Sequence, residues 1–164
     1  LTRLESADGQ LEAERVDLRD VAARSAANFR TAAETRGVTL EMDVPSTPLF
    51  VEGDAEALEL MLNNLLDNAV KYTPGGGTVR VRLAAEEGEG LIDVSDDGIG
   101  IAPDHHDRIF ERFYRVDQAR SRELGGTGLG LSIVKHISKA HRGTVALESA
   151  LGVGSTFRVR LPLI

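Results

Sequence analysis

The 164-residue chain has no cysteine and no tryptophan, and only two tyrosines and five phenylalanines. Without cysteine there are no disulfides, thiolate zinc sites or cysteine nucleophiles, and a cytosolic compartment fits. So few rings leave no base-stacking platform for single-stranded nucleic acid. Positive charge is short too: 19 lysines and arginines face 26 aspartates and glutamates, a formal net charge of −7. A general nucleic-acid binder needs a basic face to neutralise phosphates, so no nucleic-acid partner is expected. No apolar run approaches the ~18 residues of a membrane-spanning helix, so no membrane insertion by these residues is expected. There is no basic-then-apolar signal segment, and the chain begins at Leu1 rather than Met, as an excised piece of a longer protein would.

What is present is ordinary in bulk and uneven in detail. Apolar residues make up 41% and charged residues 27%, and the length suits one domain with a real core. Four of the 17 glycines fall in Gly125–Gly130 and three in Gly75–Gly77. Clustered glycine marks backbone that must approach something closely.

Leu1 to Glu14 reads as a frayed helix end, interrupted at Asp8-Gly9. After a short segment around Val16, helical spacing of Val21, Ala22, Ser25, Ala26 and Phe29 predicts a helix over Asp20–Thr35, stopped by Gly37. Val38–Val44 alternates as a half-buried strand, and Leu49-Phe50-Val51 is a brief one. Asp54 is a good N-cap for a helix to Tyr72 with Leu58, Met61, Leu62, Leu65 and Ala69 as its apolar stripe. Thr78–Ala85 and Leu91–Ser95 are strands joined by a turn at Glu86–Gly90. Asp96–Gly128 is too long for an inert connector and predicts a functional loop or lid with a short helix near Arg108–Arg112. Leu129–His141 is a helix with Ile133, Val134, Ile137 and Ala140 inward. Gly143–Ser149 and Ser155–Leu161 form a terminal hairpin. Strands and helices that do not strictly alternate predict an α/β sandwich with a mixed sheet.

Asn64, Asn68 and Lys71 sit at i, i+4 and i+7 of the Asp54–Tyr72 helix, so they share one face. Asparagine is a mediocre helix former, and two on one stripe need a reason. Either the face is simply solvated, or it offers oxygens to a hard cation such as Mg²⁺ and an ammonium to phosphate. Asp96-Asp97-Gly98-Ile99-Gly100 follows a strand directly. It is either an Asp-Gly turn or a carboxylate placed to accept from a ligand amine. Gly126-Thr127-Gly128-Leu129-Gly130-Leu131 opens a helix, as a hinge or as amides offered to an anion. Its Gly-x-Gly-x-Gly spacing is neither a dinucleotide fingerprint nor a Walker loop. Asp104-His105-His106-Asp107 reads as a solvated turn rather than a metal site, because neighbouring side chains diverge.

Taken in order, Asn-x-x-x-Asn-x-x-Lys-Tyr, Asp-x-Gly-x-Gly, Phe110-Glu111-Arg112-Phe113 and Gly-Thr-Gly-Leu-Gly-Leu closely resemble the N, G1, F and G2 boxes of sensor histidine kinases. Gly152-Val153-Gly154-Ser155-Thr156-Phe157 resembles that family's closing glycine motif. These kinases share a superfamily with DNA gyrase, the heat-shock chaperone ATPases and the mismatch-repair ATPases. The resemblance runs from about Val16 to Leu161. It implies the Bergerat fold: a mixed, mostly antiparallel sheet on helices, with ATP under a mobile lid at about residues 100–126. Residues 15–164 would be the ATP-binding catalytic domain and 1–14 the tail of a dimerisation helix.

The resemblance also implies roles. Asn68 matches the Mg²⁺ ligand, Asn64 the neighbour supporting ion and phosphates, Lys71 a phosphate contact, and Tyr72 a residue near the adenine. Asp96 matches the carboxylate that receives the adenine amino group. Gly98, Gly100 and Ile101 would line the pocket, and Gly126, Thr127, Gly128, Leu129, Gly130 and Leu131 the lid hinge and phosphate cradle. Thr156 would complete the nucleotide site, and Arg115, with Arg120 or Arg122, would reach the γ-phosphate. Phe110 and Phe113 would anchor the lid, dock on the dimerisation helices or join the core. Hydrolysing relatives carry a glutamate where Asn64 stands, and asparagine is no practical general base. ATP should therefore wait for a phosphoacceptor histidine on a separate dimerisation domain, with a response regulator next in line. None of His105, His106, His136 and His141 has the acceptor setting. A nucleotide-sensing pseudokinase and an autonomous ATPase are the alternatives; the intact Asn64, Asn68, Lys71 and Asp96 set weighs against the first and Asn64 against the second. One smaller departure is Arg142, where the family often has glycine. The piece itself is expected to be monomeric and cytoplasmic, its parent a homodimer anchored in the inner or plasma membrane.

Overall fold

A computed structural model of the chain describes residues 13–116 and 129–164. In chain order come β1 (Glu14–Asp17), α1 (Leu18–Arg36), β2 (Thr39–Asp43), β3 (Phe50–Gly53) and α2 (Ala55–Tyr72). They are followed by β4 (Thr78–Glu86), β5 (Glu89–Asp96), a single 3-10 turn (Pro103–His105), α3 (Gly130–Ala140), β6 (Thr144–Ala150) and β7 (Gly154–Pro162). Five strands form one sheet in the order β2-β4-β5-β7-β6; β2 and β4 are parallel and every other pair is antiparallel. β1 and β3 make a separate antiparallel pair.

The helices start where side-chain acceptors meet their orphan amides. Asp17 accepts from Arg19 N, so α1 begins two residues earlier than its apolar spacing predicts. Asp54 accepts from Glu56 N and Ala57 N at the head of α2. Gly37, at φ 70°, closes α1.

α2 lies in the middle of the sandwich, between α1, α3 and the sheet. Its Leu58, Met61, Leu62, Leu65 and Leu66 have no exposed surface, and such side chains stabilise by ~1.5–3 kcal/mol each. Val79, Val81 and Leu83 of β4, Ile92 and Val94 of β5, and Phe157, Val159 and Leu161 of β7 complete the core. On α3, Val134 and Ile137 are buried, but Ala140 is exposed. The helix ends there, and its last turn buries Ile137 and Ser138 instead. The sheet's other face carries ion pairs: Arg80 to Glu41 at 2.8 Å, and Arg158 to a buried Asp93 at 2.8 Å.

No helix forms at Arg108–Arg112. From Ala102 to Tyr114 the backbone makes successive i to i+3 bonds, such as Arg108 N to His105 O at 3.1 Å and Glu111 N to Arg108 O at 2.9 Å. Isolated turns of that kind never establish the i to i+4 ladder.

A long-range contact ties the N-cap of α2 to the C-cap of α3. His141, buried just past α3, accepts from Asp54 N through Nε2 at 3.0 Å, and its Nδ1 lies 2.9 Å from Ile137 O. A ring accepting at Nε2 must donate at Nδ1, so this imidazole is neutral with a fixed tautomer. Burial lowers its pKa below the usual histidine value. Because the folded pKa is depressed, the stabilisation is complete above ~6.5 and is lost as pH falls below it. Urea midpoints measured between pH 7.5 and 5 should therefore fall. His141→Phe should flatten that part of the slope and, by removing the acceptor for Asp54 N–H, cost ~1–3 kcal/mol at pH 7.5. An unchanged slope in His141→Phe would assign the acid sensitivity elsewhere.

Candidate functional site

The second half of α2 presents Asn64, Asn68 and Lys71 on one half-buried face. Asn64 donates from Nδ2 to Leu60 O at 2.8 Å, and its Oδ1 is the amide's acceptor. That oxygen lies 3.1 Å from where a Cβ on Gly130 would stand, so the first turn of α3 is seated against Asn64. Leu129, at the N-cap of α3, has no side chain able to accept from the helix's first amides, and those amides can face an anion. Among the described residues the Asn68 amide has no hydrogen-bond partner. Lys71 Nζ pairs with Asp67 Oδ2 at 2.9 Å. A half-exposed i, i+4 pair contributes only ~0.3–0.5 kcal/mol, so a phosphate can recruit this ammonium at little cost.

The end of α2 is held in place from two sides. Arg36, at the end of α1, donates to Val70 O at 3.0 Å and Lys71 O at 2.8 Å. From the other side the segment leaving β5 packs on Tyr72: Ile99 N approaches Tyr72 O at 3.4 Å, and Gly98 lies so close to that carbonyl that any Cβ would overlap it. Asp97 serves the scaffold, accepting from Thr78 N at 2.8 Å.

Asp96 sits at the strand end, its Oδ1 accepting from Gly98 N at 2.9 Å. Burial raises its pKa, and Asp97 adds to the rise, while backbone hydrogen bonds from Gly98 and Ser155 oppose it. An ionised carboxylate offers about four acceptor sites, so capacity for a ligand donor remains. In the β5–β7 register Asp96 faces Ser155, and Val94 faces Phe157 of the core. Strand alternation therefore puts Ser155 on the helix side with Asp96 and turns Thr156 to the opposite face. There the Thr156 hydroxyl meets Ser95 Oγ at 2.9 Å. The geometry does not bring Thr156 to the other candidates; Ser155 stands in that place. The signal was available, since Phe157 is an obvious core residue and Ser155 lies two before it.

Gly100 has φ 74° and presses on the Ala150 carbonyl of the β6–β7 hairpin. Ile101 is half-buried against the core. Beyond it, Phe110 packs edge-on against Phe157 with ring centroids 6.0 Å apart, whereas Phe113 is 66% exposed at φ 65°. The two phenylalanines thus divide between core and surface. His105 Nδ1 bonds Tyr114 Oη, and His106 Nε2 lies 2.8 Å from Ile101 O. Arg115 is half-buried, as are Leu129, Gly130 and Leu131. Gly126, Thr127, Gly128, Arg120, Arg122 and the segment 1–12 lie outside the described residues.

A family model described as histidine kinase-, DNA gyrase B- and HSP90-like ATPase matches residues 53–164. The chain belongs to this family. It is 43% identical over 146 residues to the sensor histidine kinase RppB of Synechocystis, covering 89% of this chain and 32% of that protein. To the sensor-like histidine kinase SenX3 of Mycolicibacterium smegmatis it is 41% identical over 162 residues, covering 99% of this chain and 42% of that protein. It thus spans about a third to two fifths of the length of these curated relatives. The solved mycobacterial sensor histidine kinase MprB superposes with a TM-score of 0.80 at 34% identity, over 92% of this chain and 97% of that one. Full-length ShkA in complex with AMPPNP gives 0.85 at 32% identity, over 99% of this chain and 33% of that one. Within the family, this is the ATP-binding catalytic domain of a sensor histidine kinase, and its mixed sheet on helices is the Bergerat sandwich. Among the described residues of the domain, no helix is long and apolar enough to cross a membrane.

Proposed function

We propose that this domain holds Mg·ATP between the Asn64–Lys71 face of α2 and the Asp96–Ile101 segment, and passes the γ-phosphoryl group to a histidine on a separate dimerisation domain of the same kinase. The observation that carries the reading is the meeting of two motif segments on the half-helix that bears the third: Gly130 on Asn64, and Gly98 and Ile99 on the Tyr72 carbonyl. Asp96 accepts the adenine amino group, with Tyr72, Gly98, Gly100 and Ile101 around the base. Lys71 leaves Asp67 for a phosphate oxygen, and the amides of Gly130 and Leu131 in α3's first turn face the triphosphate, with Leu129 beside them. Arg115 reaches toward the γ-phosphate, and Gly126, Thr127 and Gly128 belong to the same cradle.

The donor set fits a hard cation: Asn68 offers an uncommitted amide oxygen one helical turn from Asn64, and Mg²⁺ takes few protein oxygens beside phosphates and water. Bound there, it would neutralise charge on the triphosphate. The transfer itself needs positioning and charge neutralisation more than covalent help. Asn64 cannot take a proton from water near neutral pH, which favours transfer to the histidine over hydrolysis. A response regulator is the expected next acceptor, and the domain works on the cytoplasmic side of a membrane-anchored homodimer.

Mixing the chain with the kinase's dimerisation domain and γ-labelled ATP tests this directly. Label should reach the acceptor histidine and stay off His105, His106, His136 and His141. Asn68→Ala should bind Mg·ATP at least ~10-fold more weakly, the lower end of what metal-support residues cost. Rapid phosphate release without transfer would favour an ATPase, and equal affinity in Asn68→Ala would remove that residue from the site.

A further inference from the structure

The Asp96–Ile101 segment has almost no regular structure of its own, so its shape depends on what grips it. Gly152 N donates to Ile99 O at 2.8 Å. The second grip from this hairpin is a side chain: Ile101 N donates to Ser149 Oγ at 2.7 Å. The same hydroxyl donates to Gly154 O at 2.9 Å and lies 2.8 Å from Ser155 Oγ. A serine has one proton and two acceptor sites. Its proton goes to Gly154 O, so it must accept from both Ile101 N–H and the Ser155 hydroxyl. All three capacities are used, and each direction is fixed.

These partners bracket the base-reading carboxylate. Ser155 faces Asp96 across the β5–β7 register and sends it a backbone hydrogen bond. Ile101 ends the segment that Asp96 begins. One oxygen on β6 thus ties both ends of the loop to a single point of the hairpin. We propose that Ser149 is a positioning residue for base selection: it never touches nucleotide, and it sets the aim of Asp96 by fixing Ile101 and Ser155 together. The proposal rests on the reading of Asp96 as the adenine acceptor.

ATP and GTP are competed against a fluorescent adenine nucleotide on the full 164-residue chain, as wild type, Ser149→Ala, Ser149→Thr and Ser138→Ala. Ser138 is a buried serine on α3 bonded to Val134 O and Met61 Sδ, and it reports general loosening. Ser149→Ala should lower the ATP-to-GTP affinity ratio ~10-fold, chiefly through ATP, the size of one lost hydrogen bond in a binding equilibrium. Ser149→Thr, which keeps the hydroxyl, should restore the ratio to within ~3-fold. Ser138→Ala should lower the urea midpoint and leave the ratio alone. Should Ser149→Ala fail to fold, Ser149→Cys replaces it, because the thiol keeps the volume while accepting poorly. A wild type without preference for ATP overturns the Asp96 reading itself. A selective wild type with an unchanged ratio in Ser149→Ala, or in Ser149→Cys where that variant stands in, overturns the role given to Ser149.

Discussion

Asp96→Asn is expected to weaken ATP binding at least ~10-fold and to shrink a ~100-fold preference for ATP over GTP toward parity. The ionised carboxylate only accepts, and adenine offers an amino group where guanine presents a carbonyl oxygen. GTP would therefore set two electron-rich oxygens against each other in a half-buried place. Asparagine keeps the size but brings a donor amide, which tolerates guanine and wastes one adenine contact. Burial holds the Asp96 pKa above the ordinary aspartate range. Since the ionised form takes the ligand's proton donor, wild-type affinity should begin to fall on acidification at a higher pH than a solvated aspartate would give. Asp96→Asn should lack that acid limb. Competition titrations across pH check both, and a wild type that binds GTP as well as ATP would reopen the pocket assignment.

The second large effect is steric. Gly100→Ala should cost at least twice as much stability as Gly88→Ala, and should lose ATP binding where Gly88→Ala keeps it. Both glycines have left-handed backbone, with φ 74° and 81°, so each variant bears the ~1–2 kcal/mol of that conformation. At Gly88 a Cβ meets nothing within 4 Å, whereas at Gly100 it lands inside the Ala150 carbonyl oxygen. Backbone must then move, and what moves is the segment joining Asp96 to Ile101 or the hairpin that grips it. Urea denaturation and nucleotide titration of both variants separate the conformational cost from the clash. Equal losses at the two positions would show that the hairpin yields freely.

Much of this architecture can be read from the chain, for physical reasons that also mark where reading stops. The stripe from Leu58 to Ala69 predicts α2 because a buried helix face repeats every three to four residues. Val79, Val81 and Leu83 predict β4 by alternation. The resemblance implies that Asn64, Asp96 and Gly130 serve one ligand, and the structure seats Gly130 against Asn64. β1 escapes because four residues with one buried side chain carry no periodic signal. The His141 contact escapes because it spans 87 positions, and nothing local marks a histidine as an acceptor for a distant helix cap. Ser149 escapes for a similar reason: its importance lies in three partners that only the fold assembles. Thr156 is a different case, since counting back from Phe157 gives its face correctly.

The position of β7 sets an order of events during synthesis. β7 is the latest strand in sequence, yet it lies between β5 and β6. A chain emerging from its N-terminus has β5 paired only with β4 until β7 arrives. Meanwhile one edge of Leu91-Ile92-Asp93-Val94, four residues that end up buried, stays open, the kind of apolar edge that recruits other chains. Ser155 arrives with β7, so the surroundings of Asp96 are completed only then. Nucleotide stabilises only a state that can bind it, and it cannot rescue a nascent chain before that strand has paired. That interval therefore lasts until the chain through β7, Gly154–Pro162, has been made, and ATP cannot shorten it.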